Sequence, residues 1–203
     1  MITLYHAPLT RSLRVLWLLE ELGLDYELKK MPFTPEALND PDYRRHNPFG
    51  RVPALIDGNM SLFESGAIVE YLLARYGTSG LVPDTDSAMF GHYLQWFHFA
   101  EATLMPPLSA IAQHTVIRPE EQRIQAVAAD GARMAGDMLA VLDDALSGKS
   151  FILGDPFTAA DIMLGYCLIL CEMFGLLSER TPHVSTYLAR LKERPALAAA
   201  MAA

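Results

Sequence analysis

The chain has 203 residues, of which 51% are hydrophobic, and its formal net charge at pH 7 is −8. This length is enough for one large domain or two small ones with a packed core. No apolar run reaches the roughly 18 residues that a membrane span needs, and the acidic balance disfavours nucleic acid and anionic lipid. The first residues lack the charged head and apolar core of an export signal, so we expect a cytoplasmic protein without membrane or nucleic-acid partners.

The first third of the chain alternates strand and helix patterns. Residues 2–5 alternate as a short strand does, and apolar side chains then recur at helical spacing until Gly23. Tyr26–Lys30 has the pattern of a second strand, and residues 47–76 contain two further strands and a helix. This order predicts a small α/β domain in which helices pack on a mixed four-stranded sheet.

The rest of the chain has helical patterns. Gly77–Ser87 is rich in glycine, proline and small polar residues and has no apolar periodicity, which is typical of a linker. We therefore predict an α/β domain at 1–78, a linker at 79–86 and an all-helical bundle at 87–203. One of the predicted helices begins at Thr158, with Asp161 three residues later, and this spacing favours a capping box with a structural role.

The most informative stretch, Asn47–Leu73, reads NPFGRVPALIDGNMSLFESGAIVEYLL. Pro53 stands where a strand begins, and a proline there has no N–H to give to the sheet. If the bond between Val52 and Pro53 is cis, the turn presents the N–H and C=O of Val52 outward, where an extended peptide can pair with both. Taken alone, an ordinary strand-entry turn also explains these residues.

The pair Glu64-Ser65 opens the apolar helix of the same stretch. We expect Ser65 at the N-cap, where its hydroxyl and the free N–H groups of the first turn can hold a carboxylate. Glu64 can accept an ammonium. With the main-chain edge before the strand, these groups match glutathione, a tripeptide with an α-amino acid at one end and a thiol in the middle. An anionic ligand also needs local cations, which Arg11, Arg14 and Arg51 can supply.

NPFGRVPAL followed by FESGAI resembles the glutathione site of the cytosolic glutathione S-transferases, here of a bacterial type. The resemblance implies a thioredoxin-like N-terminal domain, an all-helical C-terminal domain, a homodimer, and glutathione as co-substrate without a metal. The implied activity is detoxification, in which the glutathione thiolate is conjugated to small hydrophobic electrophiles. The residues implied to bind glutathione are Arg11, Arg51, Val52, Pro53, Glu64 and Ser65.

A single hydroxyl is sufficient to activate the thiol. A free cysteine thiol has a pKa of about 8.5, and lowering that pKa to about 6.5 takes roughly 2.7 kcal/mol. One hydrogen bond to the anion supplies roughly 1.5–3 kcal/mol, and a helix N-terminus adds about 0.3–1 kcal/mol.

Three residues are candidates for this donor. Alignment of Arg14-Val15 with the first helix of the serine-type classes places Thr10 at their catalytic serine. Ser12, on the same turn, is the second candidate, and Tyr5, which resembles the position used by tyrosine-type classes, is the third. Helix capping explains Thr10 and Ser12 equally well, and aromatic packing explains Tyr5. Threonine departs from the serine, tyrosine or cysteine usual at this position.

The electrophile site is implied on the first long helix of the second domain, predicted over Ala88–His114, which is apolar over much of its circumference. Its candidates are Phe97, Glu101, Met105 and Pro106, and ordinary core or dimer packing is the alternative for each. Two other functions remain open at this point. One is a glutathione-dependent peroxidase acting on organic hydroperoxides, and the other is a non-catalytic binding module with the same fold.

Overall fold

The computed structural model describes residues 1–78 and 80–203, and its contacts divide the chain into two compact units. One unit combines the residues before Gly80 with Lys192–Ala203, and the other is Gly80–Leu191. The first is α/β and the second helical, as predicted. Ser79 of the predicted linker lies outside the described residues. No helix in the described ranges has the length and apolarity needed to cross a bilayer.

The first unit is built on one mixed sheet, with the strand order β2-β1-β3-β4. Strand β1 runs parallel to β2 and antiparallel to β3, and β3 pairs antiparallel with β4. The parallel pair needs a crossover connection, which helix α1 provides. The strands are β1 (Ile2–His6), β2 (Tyr26–Lys30), β3 (Ala54–Asp57) and β4 (Met60–Leu62). The helices that follow or join them are α1 (Ser12–Leu22), α2 (Pro35–Leu38), α3 (Pro41–Arg44) and α4 (Ser65–Tyr76).

The last helix of the chain, α10 (Pro195–Ala202), packs on α1 in the first unit. Arg194 donates two hydrogen bonds to the Glu21 carboxylate, at 2.6 and 2.7 Å, and the ring N–H of Trp17 donates to the same carboxylate at 2.8 Å. These bonds fix the C-terminal segment to α1. By its contacts, the chain returns to the first unit at Lys192, whereas the helical domain predicted from the sequence extends to residue 203; that boundary stays a prediction.

The second unit contains five α-helices in its described residues. They are α5 (Phe90–Phe99), α6 (Met105–Ala112), α7 (Gln125–Leu146), α8 (Ala159–Met173) and α9 (Pro182–Lys192), the last ending at the boundary of the unit. The long helix predicted over Ala88–His114 is interrupted by a π-helical turn at Ala100–Leu104 and followed by another at Gln113–Ile117. Pro106 and Pro107 explain the first, because they have no N–H for the carbonyls four residues earlier.

The predicted capping box is present at the start of α8, and Asp161 does more than cap. Its buried carboxylate accepts from the main-chain N–H and hydroxyl of Thr158 at 2.7 and 2.9 Å, the N–H of Ile152 at 2.9 Å and the hydroxyl of Tyr187 at 2.6 Å. Burial raises the pKa of Asp161, and these hydrogen bonds act in the opposite direction. One carboxylate therefore joins three segments of the helical unit.

Helices α6 and α7 approach each other closely at Gly131. A Cβ atom at this position would lie 2.9 Å from the carbonyl oxygen of Pro107 and 3.1 Å from a side-chain carbon of Ile111. Glycine is therefore required here for helix packing. Gly136, one and a half turns further along α7, faces open space, since a Cβ there would meet no atom within 4 Å.

We expect Gly131→Ala to lower the free energy of unfolding by about 1–3 kcal/mol, because the added methyl must displace the main chain of α6. The matched control, Gly136→Ala in the same helix, should raise it by about 0.4–1 kcal/mol by restricting the unfolded chain. Denaturant unfolding measures both. If the wild type and Gly131→Ala had equal free energies of unfolding, α6 and α7 would accommodate the added methyl group without loss of stability.

Candidate active site

The loop before β3 is held by side chains that bind its carbonyl groups. The Val52–Pro53 bond is cis. Asn47 donates from Nδ2 to the carbonyls of Arg51 at 2.6 Å and Pro53 at 3.3 Å, and the hydroxyl of Tyr43 also donates to the Arg51 carbonyl. Asn47 and Tyr43 are both buried. The main chain on either side of Val52 is therefore fixed from within the unit.

Val52 itself differs from its neighbours. No hydrogen bond joins its N–H or its C=O to another residue in the described part of the chain. Main-chain groups are strong hydrogen-bonding groups, and nearly all of them find partners in folded proteins. An open N–H and C=O on one residue is the edge to which an extended peptide can add.

The turn into α4 presents Glu64 to solvent. Glu64 precedes the helix with φ of 72° and ψ of 110°, a left-handed conformation that is unusual for a residue with a side chain. Such residues cost of order 1–3 kcal/mol and concentrate at functional sites. The side chain is exposed, and is available to a cationic group. The prediction for Ser65 is corrected by one position, because Glu64 is the N-cap and Ser65 is the first residue of the helix.

A buried arginine lies behind Ser65. Arg14 of α1 is 0% exposed, and its guanidinium donates to Ser65 Oγ at 3.1 Å. Arginine can only donate, so Ser65 accepts this bond and keeps its own proton for a further acceptor. The positive charge also favours an anion near the N-terminus of α4. Arg14 thus supports the hydroxyl that the sequence indicated as part of an anion site.

Thr10 and Ser12 lie together at the start of α1. Their hydroxyl oxygens are 2.7 Å apart, and the Thr10 hydroxyl also donates to the Ala7 carbonyl at 2.7 Å. Ser12 is 0% exposed and lies 2.8 Å from Nδ1 of His6, whereas Thr10 is partly exposed. Only the Thr10 hydroxyl is therefore positioned to reach a ligand directly. Arg11, which lies between them, is half-buried.

Tyr5 packs among other aromatic side chains. Its ring centroid lies 5.2 Å from that of Tyr43 and 5.4 Å from the His46 ring, and the Lys29 ammonium lies 5.4 Å from the same centroid. Tyr5, Tyr43 and His46, with Met31, line a surface cavity of about 300 Å³. These contacts are those of a packed aromatic side chain, which was the alternative interpretation of Tyr5.

The residues implied for the electrophile site divide into two groups. Phe97 and Met105 are 1% and 2% exposed and belong to the core of the helical unit. Pro106 is exposed and Glu101 is half-buried. Of the four predicted lining residues, Glu101 and Pro106 present surface, whereas Phe97 and Met105 are buried, and the electrophile site stays a prediction.

Sequence reasoning missed several residues that hold this site. Asn47 and Tyr43 fix the loop, and His6 contacts Ser12. The Asn-Pro pair at Asn47 does carry a turn signal, and the Asn47 carboxamide oxygen accepts from the N–H of Phe49 at 3.1 Å as such turns do. His6 and Tyr43 carry no such local signal, because their partners are set by tertiary packing.

Comparison with known proteins agrees with this geometry. The sequence model of the glutathione S-transferase N-terminal domain matches residues 1–74, and that of the C-terminal domain matches residues 125–203. The chain belongs to the glutathione S-transferase family. Similar members include glutathione S-transferase 3 of Zea mays, 32% identical over 98% of this chain and 93% of that protein. Glutathione S-transferase GstB of Escherichia coli K12 is 32% identical over 93% of this chain and 91% of its own length.

Solved glutathione S-transferase structures share the fold. A theta class member from Xanthomonas axonopodis, with glutathione bound, is 31% identical and has a TM-score of 0.84, over 100% of this chain and 97% of that one. A member from Pseudomonas fluorescens, with two glutathione bound, is 27% identical with a TM-score of 0.86, over 98% of this chain and 92% of that one. The predicted family and the thioredoxin-like fold of the N-terminal domain are both confirmed.

We expect Asn47→Ala to lower the free energy of unfolding by about 2–3 kcal/mol, because two loop carbonyls lose a buried donor. Asn59→Ala is the matched control, since Asn59 lies exposed in the β3–β4 hairpin and its loss should cost less than about 0.5 kcal/mol. Thermal or urea unfolding compares the two. If both variants matched the wild type, Asn47 would not be what fixes the loop.

Proposed function

We propose that this glutathione S-transferase family member binds glutathione and conjugates its thiolate to small hydrophobic electrophiles. The observation that carries the proposal is the unpaired main chain of Val52 together with the helix start at Glu64 and Ser65, which the antiparallel register of β3 and β4 brings toward it. These three groups match the three features of glutathione that a site must recognise: a peptide main chain, an α-ammonium and an α-carboxylate. The relatives crystallised with glutathione support the same ligand.

Each group of the ligand has a partner of suitable chemistry. The Val52 N–H and C=O pair with the cysteinyl main chain, and Pro53 fixes the strand entry beside it. Ser65 donates to the γ-glutamyl carboxylate, since it accepts from Arg14 through one lone pair and keeps its proton available. Glu64 accepts the ammonium. The exposed guanidinium of Arg51, and Arg11 near the start of α1, supply cations for the remaining carboxylate in a protein of net charge −8.

Thr10 activates the thiol in this proposal. Its hydroxyl turns from the Ala7 carbonyl to the sulfur, donates a hydrogen bond to it and stabilises the thiolate, and the N-terminus of α1 favours the same charge. The thiolate then attacks the electrophilic carbon, a carbon–sulfur bond forms, and a leaving group such as chloride departs with its electron pair. Ser12 is fully buried and Tyr5 is packed among aromatic rings, so Thr10 is the best placed of the three predicted donors.

The test measures conjugation of glutathione to a chlorodinitrobenzene across pH in wild type, Thr10→Ala and Thr10→Ser. We expect Thr10→Ala to raise the apparent pKa of the bound thiol by more than about one unit and to lower kcat/KM at neutral pH about tenfold or more, because one hydrogen bond to the anion is lost. Thr10→Ser keeps the hydroxyl and should stay within about threefold of the wild type.

Two results would overturn parts of this proposal. Turnover of cumene hydroperoxide without conjugation would make the protein a glutathione-dependent peroxidase. Failure to bind a glutathione resin would make it a non-catalytic binding module. Unchanged pH profiles in both Thr10 variants would assign thiol activation to main-chain N–H groups instead.

The homodimer is likewise a proposal. Val127, Met134 and Val141 are exposed on α7 at 37%, 38% and 57% and recur every seven residues, which places them along one helix face. An apolar face of this kind supports pairing with a second copy. Light scattering should give about twice the 22.5 kDa of one chain, and a mass of one chain would exclude the dimer. A cytoplasmic location also stays a proposal.

A further inference from the structure

We propose that His6 and Ser12 are positioning residues for Thr10, and that a chain of hydrogen bonds running from His6 through Ser12 turns the Thr10 hydroxyl proton toward the bound thiolate. The inference rests on the proposed function, in which Thr10 is the group that touches the sulfur. Its structural basis is a row of three polar side chains. Nδ1 of His6 lies 2.8 Å from Ser12 Oγ, which lies 2.7 Å from Thr10 Oγ1.

Ser12 Oγ has more hydrogen-bonding neighbours than it can bind at once. A hydroxyl has one proton and two lone pairs. The Ala7 N–H, 3.3 Å away, occupies one lone pair, because a main-chain N–H can only donate. One lone pair and one proton then remain for His6, for Thr10 and for the Ala7 carbonyl at 3.2 Å. The position of the ring proton of His6, on Nδ1 or on Nε2, decides how this lone pair and this proton of Ser12 are used.

The two tautomers of His6 set opposite directions. If Nδ1 carries the proton, it donates to Ser12, and Ser12 donates onward to Thr10. The Thr10 oxygen then accepts this bond and the Ser12 N–H at 3.3 Å, and its own proton, which it gives to the Ala7 carbonyl at 2.7 Å in this structure, is the one that can turn to an outside acceptor. If Nδ1 has no proton, Ser12 donates to His6. Thr10 must then donate the 2.7 Å hydrogen bond to the second lone pair of Ser12, and this bond uses the Thr10 proton.

The surroundings of His6 favour a proton on Nδ1. His6 is 1% exposed, and within the described residues its imidazole ring makes a hydrogen bond only through Nδ1, to Ser12. The Ala7 carbonyl can only accept and lies 2.7 Å from Thr10 Oγ1, so it takes the Thr10 proton; Ser12 must then donate the 2.7 Å bond to Thr10, and His6 must donate from Nδ1 to Ser12. Burial and the charge of Lys30 lower the pKa of His6, which keeps the ring neutral. A charged ring would also donate from Nδ1, so the direction of the chain is the same in both states.

The chain should strengthen the hydrogen bond that Thr10 gives to sulfur. Linked hydrogen bonds polarise one another, and low local dielectric increases the effect. His6 and Ser12 are closed off from solvent, whereas Thr10 is partly exposed, so the chain runs from the interior to the site. No covalent bond changes, and each proton stays on its own heavy atom.

The experiment titrates glutathione bound to the full chain and follows the ultraviolet absorbance of its thiolate. His6→Leu removes the donor, and His6→Asn keeps an N–H close to the position of Nδ1. We expect His6→Leu to raise the apparent thiol pKa by about half a unit and to lower kcat/KM at neutral pH about threefold. KM for glutathione should be unchanged, and His6→Asn should recover most of the loss.

Further variants separate positioning from packing. In a Thr10→Ala background, His6→Leu should have no further effect on the thiol pKa, because the chain acts only through Thr10. Ser12→Ala interrupts the chain at its middle and should give the same shift as His6→Leu, with circular dichroism checking the fold of each variant. A shift that persists without Thr10, or its absence in the folded His6→Leu and Ser12→Ala proteins, overturns the proposal. A wild type that leaves the pKa of bound thiol unshifted overturns the proposed function itself.

Discussion

The main chain at Val52 is the constraint on which the site depends. Main-chain groups of a folded protein are almost always paired, and the flanking carbonyls of Arg51 and Pro53 follow this rule through Asn47 and Tyr43. Between them, the N–H and C=O of Val52 have no partner in the described chain. The same side chains that satisfy the neighbours hold this edge in place, so recognition of a peptide is built from rigid main chain.

Two helix starts next to this edge are constructed alike. At each, a hydroxyl accepts a hydrogen bond from a buried donor. Ser65 accepts from Arg14, and Thr10 accepts from Ser12, which is bound in turn by His6. A hydroxyl that accepts a hydrogen bond from the protein interior can donate its own proton to a ligand, which suits it to bind a carboxylate or a thiolate. This explains how a protein with a net charge of −8 can present local sites for an anionic ligand.

The sequence predicts the main-chain features of the site better than its side-chain contacts. The succession of strands and helices in the first unit and the turn at Pro53, whose bond is cis, follow from proline, glycine and apolar spacing, which act within a few residues. The contact of Arg14 with Ser65 spans 51 residues and depends on how two helices pack. The burial of Phe97 could not be predicted from the sequence either, because the pattern of a helix that is apolar around its circumference does not indicate which face is buried.

The return of the chain to its starting unit affects how the protein is made. Glu21 of the first helix, which also accepts from Trp17, is bound by Arg194, a residue that is synthesised 173 positions after Glu21. Domains fold as units during synthesis, N-terminal first. Here the N-terminal unit cannot complete its packing until Lys192–Ala203 has been synthesised, so the helical unit, although later in the sequence, is the first to have all its residues available.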